Sequence, residues 1–507
     1  MTAIPMGAIP WFHARRKPGA TAVVHDEDRL DWLGLARRST QRAHTLRRLG
    51  VRTGDFVSFS LWNCNAFIET AFAIWMAGGI PHPISPSTPL LELKGIIELG
   101  RPKVVIGFDH DRLPGWQTLP AAWDGSGESE EPFEAEPALY WKAIGSGGST
   151  GKPKLIVTHR PAVADPGSYV VFSDAVNDGR LGRVNGSLLN PGPLYHNGPF
   201  NLVFNNMFVG SRLVGLVRFD AERVLSNIER HRTELVYMVP TMMHRIWNLG
   251  PEIRSRYDLS ALRAVLHMAA SCPVWLKQAW IDWLGADRVY EAYGSTEALG
   301  STFLTGEEWL AHPSSVGRFA GYNFSSKVRI LDEGRRDVKP GEVGELFFLP
   351  TTGRGTTYHY IGAQPRTDGD YESVGDLGWM DEEGFLYLVD RRVDMILRGG
   401  SNVYPAEVEA AIEQHPDVAA AVVIGLPHED LGNTIHAIVQ PWPGRVGSLD
   451  AATLRDFMRE RLTPYKLPTS YEFVTGPLRD EAGKTRRSGL REARIAAVQA
   501  GRAPSAS

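Results

Sequence analysis

The sequence predicts an α/β fold, with a large N-terminal domain of mixed, largely parallel sheets flanked by helices and a small α+β domain behind it. Three observations lead there. At 507 residues the chain is too long for one hydrophobic core. Short apolar runs rich in Val, Tyr and Phe alternate with helical patterns through most of its length. Near residue 390 the pattern changes to helix, two strands and helix, enough for a separate unit of about 115 residues.

Along the chain, DWLGLARRSTQRAHTLRRLG (31–50) has helical spacing of its apolar residues, a cap at Asp31 and a stop at Gly50. FVSFSL (56–61), PKVVIGF (102–108), ELVYMVP (234–240), RAVLHMA (263–269) and DRVYEAY (287–293) read as strands. So does ALYWKAI (138–144), ahead of a glycine-rich loop. The acidic, breaker-rich segment 114–137 reads as a surface connection or a linker. In the last part, PAEVEAAIEQH (405–415) and ATLRDFMRERL (452–462) read as helices around the strands AAAVVIGL (419–426) and IHAIVQ (435–440). Domain boundaries are expected at 1–391 and 392–507.

Composition excludes several classes. A formal charge of -4 gives no electrostatic reason to expect nucleic acid. Cys64 and Cys272 are too few for a disulfide scaffold and suit a reducing compartment. The start, MTAIPMGAIPWFHARRKPG, has no apolar stretch after a basic one, so no secretion signal is expected. The uncharged window at 70–91 is broken by a Gly-Gly pair and repeated prolines, which argues against a membrane span. A cytoplasmic protein without stable membrane insertion is expected.

The loop GSGGSTGKPK (145–154) offers backbone N–H groups, hydroxyls and lysines at a strand end, all of which suit an anion. Taken alone it serves equally as a phosphate cradle or as a flexible surface turn. It is not the P-loop of NTPases, because Ser146 stands where the first glycine belongs and Pro153 where a hydroxyl belongs. The dinucleotide pattern GxGxxG is also absent here.

Downstream lie YGSTE (293–297), SVGDLG (373–378), DRRVDMILRGGSNVYPAEVE (390–409) and GKTRRSGLRE (483–492). In this order the loop and these segments resemble the motifs of the adenylate-forming superfamily of acyl-CoA synthetases, peptide-synthetase adenylation domains and luciferases. The resemblance spans about residues 10 to 495 and is strongest to carboxylate–CoA ligases. It implies ATP and Mg²⁺ as cofactors, CoA as co-substrate, an acyl adenylate intermediate and a mobile small domain. It also implies site residues. Ser146, Gly147, Gly148, Ser149, Thr150, Gly151 and Lys154 would close over the β- and γ-phosphates, with Thr150 near the metal. Tyr293 and Gly294 would meet adenine, Thr296 the α-phosphate, and Glu297 the Mg²⁺. Asp376 and Arg391 would bind the ribose, and Lys484 would reach the carboxylate and α-phosphate as the catalytic residue. Read singly, Glu297 is a solvated loop carboxylate, Asp376 and Arg391 are halves of surface ion pairs, and Lys484 is one charge of a basic stretch.

Three positions depart from the pattern. Leu155 replaces a usual glycine, and MAASCP (268–273) stands where a Gly-Gly-Ala-like turn is common. Val393 occupies the hinge position usually held by Asp or Lys, and its β-branch stiffens the backbone there. NPGPLYHNGPFN (190–201) resembles the segment whose histidine flanks the acyl channel, here His196; the alternative is a histidine packed among aromatics. Between Asp178 and Asp220 there is no aspartate to hold an α-ammonium group, which argues against an amino-acid substrate. Tyr195, Gly198, Phe200, Phe204, Ala269 and Ala270 favour a rigid apolar acid, aryl or polycyclic. Arg392, Arg398 and Gly399-Gly400 sit where such ligases approach CoA. The alternatives are an amide-forming ligase that passes the acyl group to an amine, and a non-catalytic acyl or nucleotide binder.

Overall fold

The computed structural model describes residues 3–134, 136–147, 153–168, 186–319, 326–391, 394–398, 401–428, 431–445, 447, 449–481 and 483–499. Its largest sheet has eight strands. From edge to edge they are Ser301–Thr305, Val289–Gly294, Ala264–Met268, Leu235–Met238, Ser187–Asn190, Arg212–Gly215, Thr21–His25 and Asp28–Asp31. The interior pairings are parallel and the two edge pairings antiparallel. Parallel strands need crossovers, and helices such as Ala221–His231, Pro240–Trp247 and Val274–Leu284 supply them.

A four-stranded parallel sheet, Ile80–Pro83, Phe56–Phe59, Val104–Ile106 and Thr118–Leu119, lies beside it in the same large unit. The helix Trp32–Arg48 starts where expected, because the Asp31 carboxylate accepts from the Gly34 N–H at 2.7 Å. The uncharged window at 70–91 is core rather than membrane: the helix Asn65–Met76 is almost wholly buried and gives way to the buried strand at Ile80–Pro83. Among the described residues no helix is long and apolar enough to cross a membrane.

The glycine-rich loop differs from expectation in its support. The strand before it runs Ala143–Gly147, not 138–144, and pairs antiparallel with Pro153–Thr158. With Tyr358–Ile361 these form a three-stranded sheet. Trp141 and Lys142, just ahead of this strand, are buried, and backbone hydrogen bonds from the Trp141 N–H to the Arg160 carbonyl and from the Thr158 N–H to the Lys142 carbonyl carry the pairing back past Ala143.

The apolar cores divide along the chain. Ile396, Val403, Val408, Ile412, Val418, Val423, Val439 and Met458 pack together, while the clusters before them contain only residues up to Leu388. In this last part the strands Val418–His428, Gly432–Pro441 and Ser470–Phe473 are flanked by the helices Pro405–Ile412, Ala451–Arg459 and Arg487–Gln499.

Candidate active site

Elements from three sheets converge on two polar clusters. The first lies around the turn after Val289–Gly294. Glu297 is buried at 6% exposure, and its Oε1 accepts from the Tyr360 hydroxyl at 2.6 Å. The Lys154 ammonium stands 3.5 Å from the same oxygen and 3.9 Å from the centre of the Tyr360 ring. Thr296 is half-buried in the same turn, and Gly294 pairs with Ser301 across the sheet edge. Beside them the Tyr293 hydroxyl donates to Asp376 Oδ2 at 2.7 Å. Asp376 is buried on the strand Asp376–Met380, and its backbone pairs opposite Arg391. The carboxylate expected to bind ribose is thus already oriented by the tyrosine expected to meet adenine.

The second cluster joins the two halves of the chain. His196 immediately precedes the helix Asn197–Phe208, with Tyr195 before it. The Tyr195 hydroxyl donates to Glu481 Oε2 at 3.0 Å, and His196 Nε2 lies 4.0 Å from Asp480 Oδ2. Asp480 in turn shapes the lysine turn. Its Oδ1 accepts from the Lys484 N–H at 2.8 Å, and its carbonyl accepts from the Gly483 N–H at 2.9 Å. Gly483 has φ +74, and a Cβ there would come within 2.9 Å of Thr241 Oγ1 in the large unit. Glycine is needed on both counts. Lys484 remains exposed, yet its charge reaches His196. Burial, followed by Lys484, pushes the imidazole down to about 3. His196 is therefore neutral across the working pH range and can orient or gate a substrate but not donate a proton as an acid.

At the start of the Asn197–Phe208 helix, Gly198 packs closely: a Cβ there would come within 2.9 Å of the Tyr237 hydroxyl and 3.3 Å of Met268 Sδ. Ala269 and Ala270 follow Met268, and Ala269 adopts φ +75 without being glycine. That left-handed backbone costs an L-residue about 1–2 kcal/mol and marks the turn as strained. Phe200 and Phe204 lie apart from these small residues. Both are fully buried and pack on Trp75, at 6.0 and 4.9 Å between ring centres, so they belong to the core. Arg398 donates to the Tyr465 carbonyl at 2.6 Å.

Several expected residues cannot be placed. Gly148, Ser149, Thr150, Gly151, Arg392, Val393, Gly399 and Gly400 lie outside the described residues, and Ser146 and Gly147 are described only as backbone of the hairpin. Sequence reasoning missed other residues. Tyr360, Asp480 and Glu481 were not singled out, although the alternation in TTYHYIG (356–362) marks a strand and RDEAGK (479–484) places two acids beside the lysine. Lys142 was also missed. It is fully buried and donates to Asn197 and Asn201, the latter at 2.8 Å, and burial followed by Arg160 holds its ammonium well below the usual lysine range.

Among the described residues no group of three or more His, Cys, Asp or Glu side chains can hold a metal ion. The set suits Mg²⁺ in its nucleotide-bound form, where one carboxylate and substrate phosphates complete the shell. Glu297 offers such a carboxylate: it is buried and lies 3.5 Å from the Lys154 ammonium.

The profile of the AMP-binding enzyme family matches residues 11–349, and that of the AMP-binding enzyme C-terminal domain matches residues 407–484. The chain belongs to the AMP-binding enzyme family. It is 32% identical to a feruloyl-CoA synthase of an Amycolatopsis species, covering 92% of this chain and 95% of that one. It is 27% identical to an indoleacetate–CoA ligase of Aromatoleum aromaticum, over 95% of this chain and 96% of the relative. Among solved structures, o-succinylbenzoate coenzyme A synthetase from Bacillus subtilis, in complex with ATP and magnesium ion, superposes with a TM-score of 0.78 at 25% identity, covering 96% and 100%.

Proposed function

We propose that this chain is an AMP-forming carboxylate–CoA ligase for an apolar, aryl or polycyclic acid. One observation carries the reading: the turn bearing Lys484 is docked on Tyr195 and His196 of the large unit. A domain boundary at 391/392, with the catalytic lysine on the small domain, accords with the division of the apolar cores. In the first step a substrate carboxylate oxygen attacks the α-phosphorus of ATP, the bond to the bridging oxygen breaks, and pyrophosphate leaves. Lys484 supplies positive charge where negative charge gathers, and Thr296 donates to the α-phosphate. Glu297, with Thr150, would hold the Mg²⁺ bound with the nucleotide, which would offset phosphate charge. Tyr293 and Gly294 flank adenine, Asp376 and Arg391 hold the ribose, and the hairpin tip with Lys154 covers the outer phosphates. In the second step the CoA sulfur attacks the acyl carbon and AMP leaves with the bonding pair. Val393, at the hinge, sets how readily the small domain turns between the two steps.

The names of the relatives support an aromatic acid, and the small residues Gly198, Ala269 and Ala270 support a rigid one. The cytoplasm is the proposed compartment, consistent with unpaired Cys64 and Cys272. The test is a pyrophosphate-release screen over aromatic acids, followed by mass spectrometry with CoA and with simple amines. Acyl-CoA and AMP are expected. Amide without thioester would assign the acceptor to an amine, and ADP with phosphate would reject adenylation.

A further inference from the structure

Glu297 shares its environment with one residue that touches both it and its counter-ion. Tyr360 lies on the strand Tyr358–Ile361, where it pairs with Ile156 of the phosphate-loop hairpin. Its hydroxyl donates to Glu297 Oε1 at 2.6 Å, and its ring carries the Lys154 ammonium at 3.9 Å. The ammonium is also 3.5 Å from that carboxylate oxygen, at 21% side-chain exposure for Lys154 and 8% for Glu297. Three separate chain segments therefore meet at one buried oxygen. A phenol can do both jobs, because its O–H donates to an anion while its π-face attracts a cation.

We propose that Tyr360 is a positioning residue that orients the Glu297 carboxylate for Mg²⁺ and seats Lys154 against it until nucleotide phosphates draw the lysine away. The proposal rests on the ligase reading, which assigns Glu297 to the metal and Lys154 to the phosphates. Before nucleotide binds, the ammonium occupies the cation position beside the carboxylate and limits the cost of burying that charge. Phosphate oxygens then offer Lys154 a stronger anion, and Glu297 stays fixed by the phenol as its lysine leaves.

The two jobs separate by substitution. Tyr360→Phe keeps the ring and loses the donor; Tyr360→Leu loses both; Tyr360→Trp keeps a ring and an N–H. The probe is a non-cleavable ATP analogue without acid or CoA, titrated by calorimetry against Mg²⁺, with AMP in chelator as reference. Tyr360→Phe should raise half-saturating Mg²⁺ by about 10-fold or more, the usual loss when a partner of a metal ligand is removed. AMP binding should not change. Tyr360→Leu should also weaken metal-free binding of the analogue, and Tyr360→Trp should recover part of the Mg²⁺ affinity. An unchanged Mg²⁺ midpoint in Tyr360→Phe, or in Tyr360→Leu if the first does not fold, overturns the proposal. Wild-type protein that shows no Mg²⁺-dependent binding rejects the ligase reading itself.

Discussion

Glu297 accepts from Tyr360 and faces Lys154 at 3.5 Å, so charge and hydrogen bonding at one carboxylate join the turn after Val289–Gly294 to two strands of another sheet. Glu297→Gln keeps the shape and removes the charge. The Mg²⁺ concentration for half-maximal pyrophosphate release should rise by about 10-fold or more, and an unchanged value would assign the residue to structure. Lys484 has a different signature. Losing one preorganised donor costs about 10²–10³ in rate, so Lys484→Ala should cripple adenylation while still converting synthetic acyl adenylate to thioester. Equal loss in both assays would contradict a lysine that serves the first step alone. These two residues were legible in the sequence because ordered motifs carry them. Tyr360 was not, since its partner lies 63 positions away in the chain. Phe200 and Phe204 were misread for a related reason: aromatic character marks apolar surroundings but does not tell a pocket wall from a core.

At the scale of elements, strands with uniform apolar runs were read correctly, as at Leu235–Met238 and Ala264–Met268, because both faces of a parallel sheet are covered. The strand ahead of the phosphate loop was placed too early because its second half, Gly145–Gly147, is glycine and serine that read as loop, although their backbone pairs with Pro153–Leu155. Periodicity also gave no sign of the ion pair beneath the Met268–Pro273 turn. There Lys277 Nζ lies 2.6 Å from Glu291 Oε2, with side chains at 0% and 6% exposure. This pair ties the helix Val274–Leu284, which follows the strained turn, to the strand Val289–Gly294. Removing one member strands a buried charge at a cost of about 3–5 kcal/mol. Lys277→Met should therefore lower the denaturation midpoint sharply, and Lys277→Met with Glu291→Leu should recover most of the loss. Two equally unstable proteins would mean that packing, not charge, accounts for the effect.

Over the whole molecule, the contacts of Tyr195 with Glu481 and of His244 with Trp442, the latter 5.5 Å between ring centres, hold the lysine-bearing part against the large unit. Gly483→Ala places a methyl 2.9 Å from Thr241 Oγ1 at φ +74. Pyrophosphate release should fall while thioester formation from acyl adenylate survives; the reverse order would contradict docking at this turn. Stability should also depend on pH. Burial holds His13, His82 and His244 near 4 and His196 near 3, against 6.5 in the unfolded chain. Above pH 6.5 neither state is protonated at these sites. As pH falls toward 4 only the unfolded chain takes up these protons, and each histidine removes up to about 1.4 kcal/mol per pH unit. The denaturant midpoint should be lower at pH 5 than at pH 7.5, and equal midpoints would contradict neutral buried imidazoles. The central claim is that a substrate carboxylate oxygen bonds to the α-phosphorus of ATP at this site. The most direct test is to supply an accepted aromatic acid labelled with ¹⁸O in both carboxylate oxygens, with ATP, Mg²⁺ and CoA, and to weigh the products. Adenylation predicts AMP carrying one ¹⁸O and unlabelled pyrophosphate; unlabelled AMP, or ¹⁸O in inorganic phosphate beside ADP, would contradict it.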